Sequence, residues 1–194
     1  MNELKSLFAD NSVKRDACLG LPIKFLSQLY DRGYEVVEVE KNTEDYFNSV
    51  SHQLMNYGNH YPGANLKCDV IKYEKENAEL FKHSSLFRDS CMFPHVGKTV
   101  QEHALELENN QRVADAFDVH CTAQYLNMEI SIFFPNSKHE VEVKRFNERG
   151  VRKRHIALVF DTFQYPIRVY STLPIHKELL YNNPYVSGVE DDHR

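Results

Sequence analysis

The 194-residue chain contains no tryptophan, only seven glycines and seven prolines, and four cysteines. So little glycine and proline excludes collagen-like and low-complexity chains. The cysteines, at 18, 68, 91 and 121, are scattered and form no CxxC pair. That excludes a disulfide scaffold at this length and fits thiols kept reduced inside a cell, in cytoplasm or nucleus. No apolar run approaches the ~20 residues of a membrane span, and the first residues, MNELKSLFADNSVKRD, lack a signal-peptide core. No membrane partner is therefore expected. An excess of positive charge is also missing: 23 Lys and Arg face 28 Asp and Glu, for a net charge of −5. A general nucleic-acid binder usually carries the opposite balance, so nucleic acid is not the expected partner.

What is present is an ordinary folding composition, 42% hydrophobic and 26% charged. This length supports one well-buried core, so a single domain is expected over 21–174, with an N-terminal arm (1–20) and a C-terminal tail (175–194). Ile23, Leu26, Leu29 and Tyr30 recur at helical spacing behind Pro22, and Gly33 supplies a stop. The valine-rich stretch 34–40 reads as a strand. Apolar stripes predict further helices from Tyr46 to Tyr57, from Leu66 to Leu80 and from Val100 to Leu107. Asp115 is placed to cap another that runs to Leu126. Residues 83–98 read as a loop. The period then shortens: 128–134 and 140–146 alternate around a turn, and strands are predicted at 155–160 and 167–170. Helices first and strands later, with one early strand, make an α+β plan: a small, mostly antiparallel sheet flanked by helices.

Five segments, in order, resemble the ovarian-tumour (OTU) type cysteine protease, a papain-type fold. Residues 42–54, NTEDYFNSVSHQL, follow a short strand as the family's D-G-N-C signature does. In that register Asp45 takes the place of the cysteine, Asn42 that of the leading aspartate, and Thr43 and Glu44 lie in the oxyanion loop. The segment 60–82, with Asn77 and Phe81, has the family's loop and helix. Val113-Ala114-Asp115 stands where the family often has W-G-D. The segment 115–133 resembles its helix and following strand. HIALVF (155–160) precedes Asp161-Thr162-Phe163-Gln164-Tyr165, where Gln164 replaces the family's histidine and Pro166 takes an acidic position. The resemblance covers roughly residues 28–172 and implies an OTU-like fold, ubiquitin as a candidate partner, and no cofactor.

Thiol proteolysis needs a thiolate of lowered pKa, a histidine to move the proton, an orienting acid or amide, and an oxyanion loop. In this register the helix start remains, but the thiol, the histidine and both orienting acids are replaced. A carboxylate at Asp45 is a poor amide nucleophile, and its ordinary use at a helix start is to cap N–H groups and complement the dipole. Gln164 does not carry a proton near neutral pH. No catalytic residue is therefore expected at Asn42, Asp45 or Gln164.

Cys91, in DSCMFPH, is the fallback nucleophile. Cys121 beside His120 reads as core packing. Of the ten histidines, His95 and His103 are eight apart, as are His52 and His60, so no pair shows zinc-site spacing, and no metal is expected. Lys144, Arg145 and Arg152-Lys153-Arg154 read as a solvated hairpin turn. Three functions remain open at this point. The chain is an inactive OTU-like domain that binds ubiquitin, a ubiquitin-like protein or an unrelated one. It is an active deubiquitinase in a different register or with Cys91 as nucleophile. Or it is a structural or nucleic-acid-binding domain of a larger protein.

Overall fold

The computed structural model describes residues 20–39, 44–88, 97–147, 154–164 and 167–175. Asn42, Thr43, Cys91, Pro166 and Cys18 lie outside these residues, as do the expected arm up to residue 19 and the tail from 176. The helices are α1 (Ile23–Asp31), α2 (Asp45–Met55), α3 (Gly63–Glu76), α4 (Ala78–Phe81), α5 (Ser85–Arg88), α6 (Val100–Glu108) and α7 (Ala116–Tyr125). The strands are β1 (Tyr34–Val37), β2 (Glu129–Pro135), β3 (Val141–Phe146), β4 (His155–Asp161) and β5 (Arg168–Pro174).

The strands form one sheet in the order β1-β5-β4-β2-β3. All its pairings are antiparallel except that of β2 with β4. The expected α+β plan, a mostly antiparallel sheet with helices on its faces, is what the chain adopts. The central strand β4 is buried throughout, and its residues alternate between two cores. Ile156, Leu158 and Phe160 face the larger core with α2, α3, α6 and α7. Ala157 and Val159 face a smaller one, closed by Phe25, Leu26 and Leu29 of α1. A strand covered on both faces reads as a continuous apolar run, which is the HIALVF of the sequence.

Local sequence explains most boundaries. Pro22, in extended conformation, sits at the N-cap of α1. Gly33 then takes a left-handed φ of 86° and turns the chain into β1. Asp115 caps α7 as expected, its side chain accepting from Phe117 and Asp118 N–H while Asp118 returns the bond in a capping box. An equivalent Thr99–Glu102 box starts α6. Two expectations need correction. The helix predicted through Leu80 ends at Glu76, where Asn77 donates its side-chain N–H to the Tyr73 carbonyl at 2.8 Å. Leu80 belongs to the separate turn α4 and is 71% exposed, so it was no part of the apolar stripe. Part of the expected loop 83–98 is the helical turn α5, held because Phe87 packs on Phe117 and His103 at centroid distances of 5.1 and 5.7 Å.

Candidate functional site

Helix α2 carries the predicted site, and its seating follows from one polar face. Asp45, Ser49, His52 and Gln53 lie on that face at helical spacing and all meet β5. Ser49 Oγ donates to the Val169 carbonyl at 3.4 Å. His52 Nδ1 lies 2.8 Å from Ser171 Oγ. Gln53 Nε2 donates to Ser171 Oγ at 3.0 Å and also to the Thr172 carbonyl. On the apolar side, Tyr46 packs on Phe47 and Phe160 with ring centroids 4.9 and 6.3 Å away. The helix is thus fixed in rotation by hydrogen bonds to one strand and in depth by aromatic contacts.

The start of α2 is set by Glu44, which occupies the N-cap without a side-chain capping bond. Asp45 stands one position further on, in the first turn, where a negative charge suits the helix dipole. The cap position therefore falls on Glu44 rather than on Asp45. Glu44 turns its carboxylate toward Lys67 Nζ at 3.4 Å. That lysine, on α3 and only 5% exposed, also donates to Asn110 Oδ1 at 2.5 Å. Lys67 so ties the start of α2 to the segment that follows α6.

Asp45 faces Arg168, with Oδ2 3.8 Å from Nε. Arg168 opens β5, its NH2 3.0 Å from Glu38 Oε1 and its guanidinium 5.1 Å from the Tyr170 ring centroid. Opposite it in the β4–β5 register stands Asp161. Asp161 is fully buried; its Oδ1 accepts the Phe163 N–H at 3.1 Å, and the polar groups of Gln164 lie close by. Burial pushes the Asp161 carboxyl above the usual aspartate range, while the Phe163 N–H, the Gln164 dipoles and Arg168 pull the other way. Gln164 also lies against Gly20, where a Cβ would come within 2.9 Å of Gln164 Nε2. Two of the residues singled out in the sequence, Asp45 and Gln164, therefore border the Arg168–Asp161 pair of the β4–β5 register. The groups brought to this point are three carboxylates, a guanidinium, an amide and the Tyr170 phenol. Such a set binds, orients and neutralises charge, and among the described residues it includes no thiol and no imidazole.

Arg168, Glu38 and Asp161 were not singled out in the sequence. Nothing in their spacing marks them: Glu38 reaches Arg168 across 130 residues of chain. Of the cysteines among the described residues, Cys121 is buried, as its core-packing reading expected, and Cys68 is exposed on α3. No described helix is long and apolar enough to cross a membrane.

No protein-family model matches the sequence, and no curated protein resembles it significantly. Solved structures do. The OTU deubiquitinase of Wolbachia pipientis wMel, determined bound to ubiquitin, gives a TM-score of 0.57 at 11% identity over 74% of this chain and 97% of its own. The OTUD1 OTU domain gives 0.58 at 14% identity over 77% and 92%. The viral OTU domain protease of Qalyub virus gives 0.56 at 12% over 75% and 87%.

The chain has the OTU fold. At these identities the likeness is one of architecture, so the chemistry of this OTU-fold chain has to be argued from its own residues.

Proposed function

We propose that this chain is a catalytically inactive OTU-fold domain that acts by binding another protein, with ubiquitin or a ubiquitin-like protein as the first candidate. The observation that carries the reading is the first turn of α2. A carboxylate stands there, Asp45, facing the always-charged Arg168 at 3.8 Å. A carboxylate held in such a pair is a poor nucleophile toward an amide, and Gln164 moves no proton near neutral pH. Ubiquitin leads the candidates because OTU-fold structures from Wolbachia pipientis wMel and Hazara virus were solved bound to it. The scattered cysteines support a reducing compartment, cytoplasm or nucleus.

The test is a ubiquitin carrying a C-terminal electrophile. No covalent adduct is expected with the full chain. An adduct that disappears in Cys91→Ala would replace this reading with that of an active thiol protease. Titration of labelled ubiquitin then separates partners: a saturable shift supports ubiquitin, and no shift at millimolar ubiquitin removes it as the partner. The double variant Asp45→Cys/Gln164→His is expected to form some adduct, because it restores a thiol and an imidazole in the inferred register.

A further inference from the structure

Strand β3 lies at one edge of the sheet, with β2 on its inner side and no described strand on its outer side. Which of its backbone groups point outward follows from the hairpin. Asn136 N–H donates to the Glu140 carbonyl at 3.0 Å, and the register continues as Phe134 with Glu142, Ile132 with Lys144 and Ile130 with Phe146. Hydrogen-bonded pairs alternate along an antiparallel ladder, so Glu142, Lys144 and Phe146 turn their N–H and C=O groups toward β2. Val141, Val143 and Arg145 turn theirs outward. Val141 shows this directly, since its N–H donates to Gln28 Oε1 of α1 at 2.8 Å. Pro135 stands opposite Val141, at a pair where its missing N–H costs no ladder bond. Among the described residues no partner takes up the outward groups of Val143 and Arg145.

The side chains alternate between the two faces of the strand. Val141 is buried in the smaller core, and Val143, on the same face, is 36% exposed. Glu142 and Lys144 share the other face with Phe146, which belongs to the larger core. Lys144 Nζ stands 5.5 Å from the Phe146 ring centroid. Neither Glu142 nor Lys144 has an ion-pair partner among the described residues.

An open edge is a template for a further strand, and charge on an edge usually keeps strands away. On β3 the charges instead mirror each other about Val143, with Glu142 before it and Lys144 after it. A second copy laid antiparallel, on a two-fold axis at Val143, sets Glu142 opposite the partner's Lys144 and Lys144 opposite the partner's Glu142. These are non-hydrogen-bonded positions, where facing side chains come closest. Val143 then exchanges both main-chain bonds with the partner's Val143. Arg145 N–H reaches the carbonyl of the partner's Val141. Moving the axis by one residue sets Glu142 against the partner's Glu142, or Lys144 against the partner's Lys144. Charge therefore selects one register.

We propose that the chain forms a two-fold symmetric homodimer by antiparallel pairing of β3 with β3 of a second copy, which joins the two sheets into one. The contact is isologous, so it satisfies both edges at once. The candidate site borders β5, and β4 and β2 lie between it and β3. The dimer thus carries that site on both sides of the seam and is bivalent toward whatever the site binds.

Sedimentation velocity of the full chain over a concentration series is the test. A reversible dimer is expected, with a Kd between about 1 μM and 1 mM for a contact of this limited extent. Glu142→Lys and Lys144→Glu each place like charges at both facing positions, and each is expected to weaken the dimer at least ~10-fold. Mixing the two single variants is expected to give a heterodimer, because each supplies the sign the other lacks. The double variant Glu142→Lys/Lys144→Glu is expected to regain the homodimer. A wild-type chain that stays monomeric at about 1 mM overturns the proposal and leaves the edge to a strand of another protein. Dimerisation of equal strength in both single variants, or no heterodimer between them when circular dichroism shows both folded, also overturns it. If a variant does not fold, hydrogen exchange of the wild-type Val143 and Arg145 amides decides. Their protection is expected to rise with protein concentration, and protection independent of concentration overturns the proposal.

Discussion

Arg168 stands among Glu38, Asp45 and Asp161, and its guanidinium stays charged wherever the fold survives. Replacing it with an uncharged side chain leaves buried or half-buried carboxylates without their cation. Arg168→Met is therefore expected to cost about 1–3 kcal/mol in urea denaturation. Adding Asp45→Asn is expected to recover part of that loss, since the two residues share one interaction. Full additivity of the two changes would show that Asp45 and Arg168 do not depend on each other. His52, on the same helix face, carries a pH prediction. Burial holds its pKa below the ordinary 6.5. The unfolded chain then binds more protons than the folded one as pH falls below that value, so stability drops on acidification from about pH 6.5 and is regained above it. His52→Gln keeps a hydrogen-bonding group against Ser171 and is expected to flatten this part of the stability–pH profile. An unchanged slope would assign the effect elsewhere, for example to His120, which burial shifts in the same direction.

The elements pack closely enough for single atoms to matter. Gly63 opens α3 directly against α2: a Cβ there would lie 2.2 Å from Asn48 Oδ1, 3.0 Å from Asn48 N and 3.1 Å from its Cα. The side-chain amide can move aside, but the backbone of a helix held by β5 cannot do so cheaply. Gly63→Ala is expected to destabilise by about 1–3 kcal/mol, although alanine is the better helix former. An unchanged chemical-denaturation midpoint would mean that the two helices separate freely. At α6, Thr99 both accepts from Glu102 N–H at 3.1 Å and is bonded back by its carboxylate. Thr99→Ala is expected to cost about 1 kcal/mol. Both features bear on legibility. The Thr99-x-x-Glu102 box is a sequence signal that apolar periodicity alone passed over. Gly63, in contrast, reads in sequence as a break between helices, and only the crossing of α2 and α3 shows it to be a point of contact. Leu80 failed for the opposite reason: it continued a helical period past Asn77, where a side-chain bond had already ended the helix.

At the scale of the whole molecule, β4 contributes to both cores, so neither is bounded without it. The layer formed by α1 and the larger helical face are therefore expected to unfold together. Tyrosine fluorescence, the usable intrinsic probe in a chain without tryptophan, and far-ultraviolet circular dichroism should give coincident midpoints. Separate transitions would show that α1 forms an independent unit. The same architecture explains how the polar seam between α2 and β5 works: the strand is held between β1 and β4, and the helix follows it.

Local sequence determined where most of the helices and strands begin and end, because capping residues, turn glycines and apolar periods act over a few neighbours. It also determined that the residue in the first turn of α2 is a carboxylate and that residue 164 is an amide. Tertiary structure alone decided what surrounds them. Arg168, Glu38 and Asp161 converge on Asp45 and Gln164 from three strands or their ends, over separations that no local pattern encodes. His103, Asp115 and Asp118 illustrate the same limit: nothing in their spacing marks a cluster, yet the fold brings them together in the dry interior. Capping and periodicity are short-range, whereas the electrostatics of a buried site is the sum of groups that only the completed fold brings within a few ångströms.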